Sequence, residues 1–198
     1  MKNILNVLVC LIVSFNVLAE SSREKDSHEH GAANVMLAME GEKLQLNFEV
    51  PSESLIGFEH FPKSQDQRWY FNEAIKTLLE PSKLFSIPAN AECLLVGINV
   101  SQSLFSGEDE HGHDEKDEHG HDEKDEHGHD ESDKSEIHSE FSSKYHWNCE
   151  HLDEIDSIDT QLMNIFPRIE EIRVRWITKN NQGSIELESK DDRIKGWK

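Results

Sequence analysis

Little in this chain announces a catalyst or a nucleic-acid partner. There is no HExxH, no GxSxG and no glycine-rich phosphate loop among its 198 residues, which leaves a zinc hydrolase or another enzyme without a recognisable centre. Positive charge is scarce: 20 Lys and Arg stand against 40 Asp and Glu, a formal net charge of −20. Nucleic-acid binding needs a basic footprint, and attraction to anionic lipid needs one too. Long apolar runs are also missing. The one candidate, residues 4–18, is about fifteen residues long, short of the ~20 that span a bilayer.

That run reads as an address. Met1-Lys2-Asn3 supplies a positive start, and Val17-Leu18-Ala19 puts small residues where a signal peptidase inspects them. The expectation is a signal peptide over residues 1–19, export to the periplasm, and no membrane attachment after cleavage. Cleavage removes Cys10 and leaves Cys93 and Cys149 in a compartment where disulfides persist. Neither has a CxxC partner. A Cys93–Cys149 bridge is therefore expected, contributing about 4 kcal/mol on the chain-entropy account.

The remainder divides into a flexible His-containing segment, residues 20–30, and a single α+β domain, residues 31–198, interrupted by a charged insert at 107–140. Residues 34–39 and the alternation Leu44, Leu46, Phe48, Val50 against Lys43, Gln45, Asn47, Glu49 predict a hairpin with one buried face. Pro51 stops it. Ser64 with Gln67 forms the pattern of a capping box, and Phe71, Ala74, Ile75, Leu78 and Leu79 share one face of a helix that ends at Pro81. Residues 91–100 and 141–149 read as strands. Leu152, Ile155, Ile158, Leu162, Ile165 and Phe166 have the spacing of a second helix stopped by Pro167, and residues 169–187 form a last hairpin. The order ββαβ-insert-βαββ suggests a mostly antiparallel sheet with two helices on one face.

The insert carries the most specific pattern. DEHGHDEK at residues 109–116 repeats at 117–124 and returns as DEHGHDES at 125–132. Residues 107–136 hold fifteen acidic side chains and three lysines, so the segment has nothing to bury and is expected to be a disordered loop. Solubility alone does not call for paired histidines. Each copy offers a His-Gly-His pair: His111 with His113, His119 with His121, His127 with His129. Two imidazoles about one glycine can turn toward one ion, and carboxylates beside them add oxygen donors and a cation-attracting potential. This donor set suits Zn, Cu(II) or Ni; an EF-hand pattern is absent, which demotes calcium.

Strand direction suggests a second, folded site. The start of the first strand and the end of the second share one end of the sheet. Crossing through the helix to the third strand makes that strand parallel to the second if both join one sheet, so it too finishes there. His28 and His30, His60, and the beginning of the insert then converge. His28, His30 and His60, with an insert histidine or water, could complete a tetrahedron; His151 falls at the opposite end.

His28-Glu29-His30-Gly31, the segment PSESLIGFEH ending at His60, the following helix, the AEC around Cys93, the Asp/Glu/His insert and Tyr145 to Cys149 resemble the ZrgA family of exported bacterial zinc-uptake accessory proteins. The resemblance covers essentially the whole chain after the signal peptide, GFEH and the N-terminal HxHG being its most specific elements. It implies a periplasmic protein that binds Zn²⁺ and assists high-affinity import, with the solute-binding protein of a zinc ABC transporter as partner and no catalytic activity. The residues themselves leave a copper or nickel scavenger and a metal-buffering sponge open.

Overall fold

A computed structural model describes residues 29–103 and 139–198. The expected signal peptide, His28 and all six His-Gly-His histidines lie outside the described residues. β1 (Ala32–Glu40) and β2 (Lys43–Pro51) form the predicted hairpin. Three helices follow: α1 (Ser52–Ile56), α2 (Gln65–Leu78) and α3 (Pro81–Leu84). After β3 (Phe85–Ser86) and a 3-10 turn (Ala89–Ala91) come β4 (Cys93–Gln102) and β5 (Glu140–Cys149). The chain closes through a 3-10 turn (Leu152–Glu154), β6 (Ser157–Thr160), α4 (Leu162–Ile165), β7 (Glu171–Thr178), β8 (Gln182–Leu187) and β9 (Arg193–Lys195).

Six strands make one sheet in the order β4-β5-β2-β1-β7-β8, and β3-β6-β9 make a smaller one. All pairings are antiparallel except β1 with β7, so the α+β, mostly antiparallel architecture expected from the sequence is present. One face of the large sheet is the core. Val35 and Leu37 of β1, Leu46 and Phe48 of β2, Phe141 and Tyr145 of β5, and Ile172 and Val174 of β7 are almost wholly buried. Asn34, Lys144 and Arg175, one residue out of phase, are exposed. A one-residue slip would exchange the two sets. Each such burial contributes about 1.5–3 kcal/mol, whereas an exposed ion pair such as Lys76–Glu73 contributes ~0–1, so the core sets the register.

α2 begins as its sequence requires. The Ser64 hydroxyl accepts from Gln67 N at 3.1 Å, and the Gln67 side chain accepts from Ser64 N at 3.3 Å. Its inner face buries Ala74 and Leu78, while Phe71 and Ile75 are partly buried. Leu79, assigned to that face from spacing, is outside the helix and 48% exposed.

The second long helix does not form. Its segment divides into a 3-10 turn, β6 and the single turn of α4. Ile155, Ile158 and Leu162 are fully buried, as their spacing required, but Ile158 lies opposite Ile194 of β9 and Thr160 opposite Phe85 of β3. Ser157, Asp159 and Thr160 are weak helix formers. Asp159 pairs with Arg193, whose hydrogen bond holds the Asp159 carboxyl below its usual range, and the Thr160 hydroxyl accepts from Leu162 N at 3.2 Å. Strand pairing and these local bonds prevail over a helical period.

The Cys93–Cys149 disulfide is present, joining register partners at the end of the β4–β5 pair. Deeper in the core the Tyr145 hydroxyl donates to Leu78 O at 2.7 Å, tying β5 to the end of α2. Burial pushes the Tyr145 phenol up from 10.0 to about 12, outweighing the opposing hydrogen bond with Ser143. Between pH 10 and 12 the unfolded chain therefore loses a proton that the folded chain keeps, and stability falls with rising pH. Tyr145→Phe should cost about 1–3 kcal/mol near neutrality by stranding the Leu78 carbonyl and should flatten the alkaline decline. Denaturant unfolding followed from pH 8 to 12 checks both; an unchanged alkaline slope in the variant would contradict the assignment.

Candidate metal centre

β5 lies between β2 and β4 and runs antiparallel to both, so β2 and β4 finish at one end of the sheet, where β5 starts. β1 begins there as well, being antiparallel to β2, and so does β7, being parallel to β1. The strand-direction argument from sequence is borne out for every described element that it used.

At this end His30 is held by its neighbour. Gly31 has φ +87°, donates from its N–H to the buried Ser54 hydroxyl at 2.9 Å, and accepts from Glu170 N and Glu171 N through its carbonyl. The imidazole is exposed to solvent and faces two carboxylates: Nδ1 is 3.9 Å from Glu53 Oε2, and Nε2 is 3.8 Å from Glu59 Oε1. Zinc holds nitrogen at ~2.0–2.1 Å and carboxylate oxygen at ~2.0–2.2 Å, so one nitrogen and one carboxylate need only a small approach to share an ion. The other nitrogen would then carry its proton toward the second carboxylate. That carboxylate–histidine arrangement orients a metal-bound imidazole and raises its basicity.

The GFEH motif has a structural account. Gly57 caps α1 in the left-handed conformation, φ +87°, with its N–H bonded to Glu53 O at 2.8 Å. A Cβ there would sit 2.9 Å from the Arg168 guanidinium, which approaches Glu53 at 3.9 Å. Phe58 is buried and stacks on the His60 ring with centroids 5.3 Å apart. His60 Nδ1 lies 2.9 Å from Phe61 O. A carbonyl can only accept, so Nδ1 carries a proton, and in the neutral ring Nε2 is the nitrogen with the free lone pair. Glu59, the half-buried residue before that histidine, turns its carboxylate back to His30.

Both stems of the insert are bonded into the same end. Ser103 N donates to Glu140 O at 3.0 Å, and Glu140 N to the Ser103 hydroxyl at 2.8 Å. The buried Ser139 accepts from Ser52 N through its carbonyl and donates from its hydroxyl to Glu59 O at 3.1 Å. Ser139 thus touches Glu59, which precedes His60 and faces His30, and Ser52, which precedes Glu53.

Sequence reasoning named His30 and His60 here but missed Glu53 and Glu59 as carboxylate partners. The available signal was their place in PSESLIGFEH, two turns of chain around a glycine cap. It also passed over Glu92, Glu150 and His151, whose donor atoms all lie within 4.8 Å of one another at the opposite end of the sheet. Each Glu is next in sequence to a bridged cysteine, so the expected disulfide already placed them side by side.

Arg173 of β7 reaches back to this segment. Its guanidinium donates to Glu29, between His28 and His30 in sequence, and at 2.5 Å to Glu171. The two carboxylates, Glu29 foremost, hold the guanidinium above its ordinary range. The Glu29 bond fastens the segment carrying His30 to the end of the sheet. An exposed pair of this kind is worth up to about 1 kcal/mol, so if His30 ligates zinc, Arg173→Gln should weaken that binding by up to about fivefold, with the deficit shrinking as salt rises. Zinc titrations at low and high ionic strength check this; equal affinity for both proteins at low salt would remove the tether.

Among the described residues no helix is long and apolar enough to cross a membrane. No curated protein matches the chain. The model of the ZrgA family zinc uptake protein matches residues 27–196, a span that takes in both histidine-bearing segments at the sheet end, both insert stems and the disulfide, and the chain belongs to that family of zinc uptake proteins.

Proposed function

We propose that this zinc-uptake protein works in the periplasm as a capturing accessory, taking Zn²⁺ through histidines and carboxylates and passing it to the solute-binding protein of a zinc ABC transporter. The observation that carries the reading is His30, with one carboxylate facing each ring nitrogen, at the end of the sheet where both insert stems are anchored. His30, Glu53 or Glu59, and His60 through Nε2 supply nitrogen and oxygen donors of the kind zinc accepts. The insert brings further ligands to the same place. His111 and His129 are eight and ten residues from the anchored Ser103 and Ser139, a tether that raises local donor concentration without demanding a fixed geometry.

Two classes of zinc affinity follow. The folded donors sit on backbone already bonded into the sheet end, whereas two histidines joined through one glycine have more backbone freedom to lose on binding. An anionic, histidine-bearing segment gathers ions and offers ligands that can be exchanged one at a time, a useful property for a protein that gives its cargo away. Binding and transfer account for the whole activity in this reading; no catalytic step is invoked. Because the ligating imidazole is neutral, protons compete for it, and occupancy should fall as pH drops through the histidine range.

Calorimetry on the full mature chain should resolve a tight class and a weaker class. His30→Ala with Glu59→Gln should weaken the tight class by about 10–100-fold or more and leave the weaker one. A strain lacking the protein should grow poorly only when zinc is chelated and recover with zinc but not with copper or nickel. Sensitivity to excess zinc instead would favour storage, rescue by nickel alone would change the cargo, and normal growth in chelator would remove the import role.

A further inference from the structure

The opposite end of the large sheet holds a second constellation. Cys93 and Cys149 are register partners joined by the disulfide, with Cα atoms 3.9 Å apart. Directly beyond the bridge the backbone stays paired: Glu150 N donates to Glu92 O at 3.4 Å and His151 N to Ala91 O at 3.1 Å. Glu92, in the left-handed region at φ +48°, ends the 3-10 turn Ala89–Ala91, and His151 opens the turn Leu152–Glu154. The bridge and the paired backbone place one imidazole and two carboxylates so that their donor atoms lie within 4.8 Å of one another, all solvent-exposed.

The set is mixed, not merely acidic. A nitrogen donor with two carboxylates is a borderline divalent-metal combination, and water would complete a tetrahedral or larger shell. Charge points the same way. Among the described residues neither carboxylate forms an ion pair with a lysine or arginine, so the oxygens of both remain open to a divalent cation. Nearby Glu154 does not compete, being engaged by the Asn90 side chain at 3.1 Å. Glu92 also lines a cleft of about 560 Å³ with Leu79, Pro81, Phe85, Leu95 and Trp147.

We propose that Glu92, Glu150 and His151 form a second divalent-metal site, clamped by the Cys93–Cys149 disulfide and separate from the histidines at the other end of the sheet. It takes zinc-like ions through Nδ1 or Nε2 of His151 and one oxygen from each glutamate. Exposure of all three donors to solvent lets the ion exchange readily. The inference does not rest on the His30 reading, since the two sites share no residue and no strand end.

Histidine modification by diethylpyrocarbonate, read by peptide mass spectrometry on the full mature chain with zinc chloride as probe, separates them. Imidazole bound to metal is not modified. His151 should be protected by zinc at least tenfold, and Glu92→Gln with Glu150→Gln should raise the zinc needed for half-protection at least tenfold. His146, exposed on the outward face of β5, serves as the internal reference and should react equally with and without zinc. His151 reacting at the same rate with zinc in large excess over the protein, or protection unaltered in the double variant, would overturn the site. Loss of His30 protection with His151 still protected would instead sink the His30 reading alone.

Discussion

The arrangement depends on one constraint of strand direction: β5 is inserted between β2 and β4 and runs against both. Two chain ends that would otherwise be separated by a strand's length, the exit from β2 and the exit from β4, are thereby brought to the same end of the sheet. The parallel pairing of β1 with β7 adds the segment 168–171 to that end and gives Glu29 and His30 something to lie against. No single contact at the site is strong. Its donors are side chains that the direction of five strands leaves no alternative but to share.

The disulfide complements this. β4 and β5 are a hairpin in everything but their connection, which runs through residues 104–138. A connection of that length costs only slowly more to close than a short one, but a turn of two residues would have set the register directly. Here the register is pinned from the other side, by the bridge at Cys93 and Cys149 and by Leu46 and Phe48 of β2 opposite Tyr145 and Ser143 of β5. A site whose stems are Ser103 and Ser139 can therefore carry a long charged insert without loosening the sheet.

How much of this was legible depended on which force dominated each segment. The β1–β2 alternation, the capping box at Ser64 and the Cys93–Cys149 pairing follow from local pattern and compartment, and all three appear. The segment from Leu152 to Phe166 did not follow: its apolar spacing matches a helix, but β3 and β9, distant in sequence, offer backbone partners that periodicity cannot register. The small sheet and the β1–β7 pairing were missed for the same reason. At the site, His30 and His60 were visible because histidine beside glycine or in GFEH is unusual, whereas Glu53 and Glu59 were lost among 40 acidic residues. Only a folded backbone distinguishes the two carboxylates that face an imidazole from those that face water.

The central claim is that zinc is held first at the sheet end, by His30 with Glu53 or Glu59, and that the insert feeds that place. Diffraction from zinc-loaded crystals of the mature protein on either side of the zinc absorption edge tests it directly. The account predicts the strongest anomalous peak within bonding distance of His30 and one of those carboxylates. A strongest peak elsewhere, with His30 bearing no metal, would contradict it.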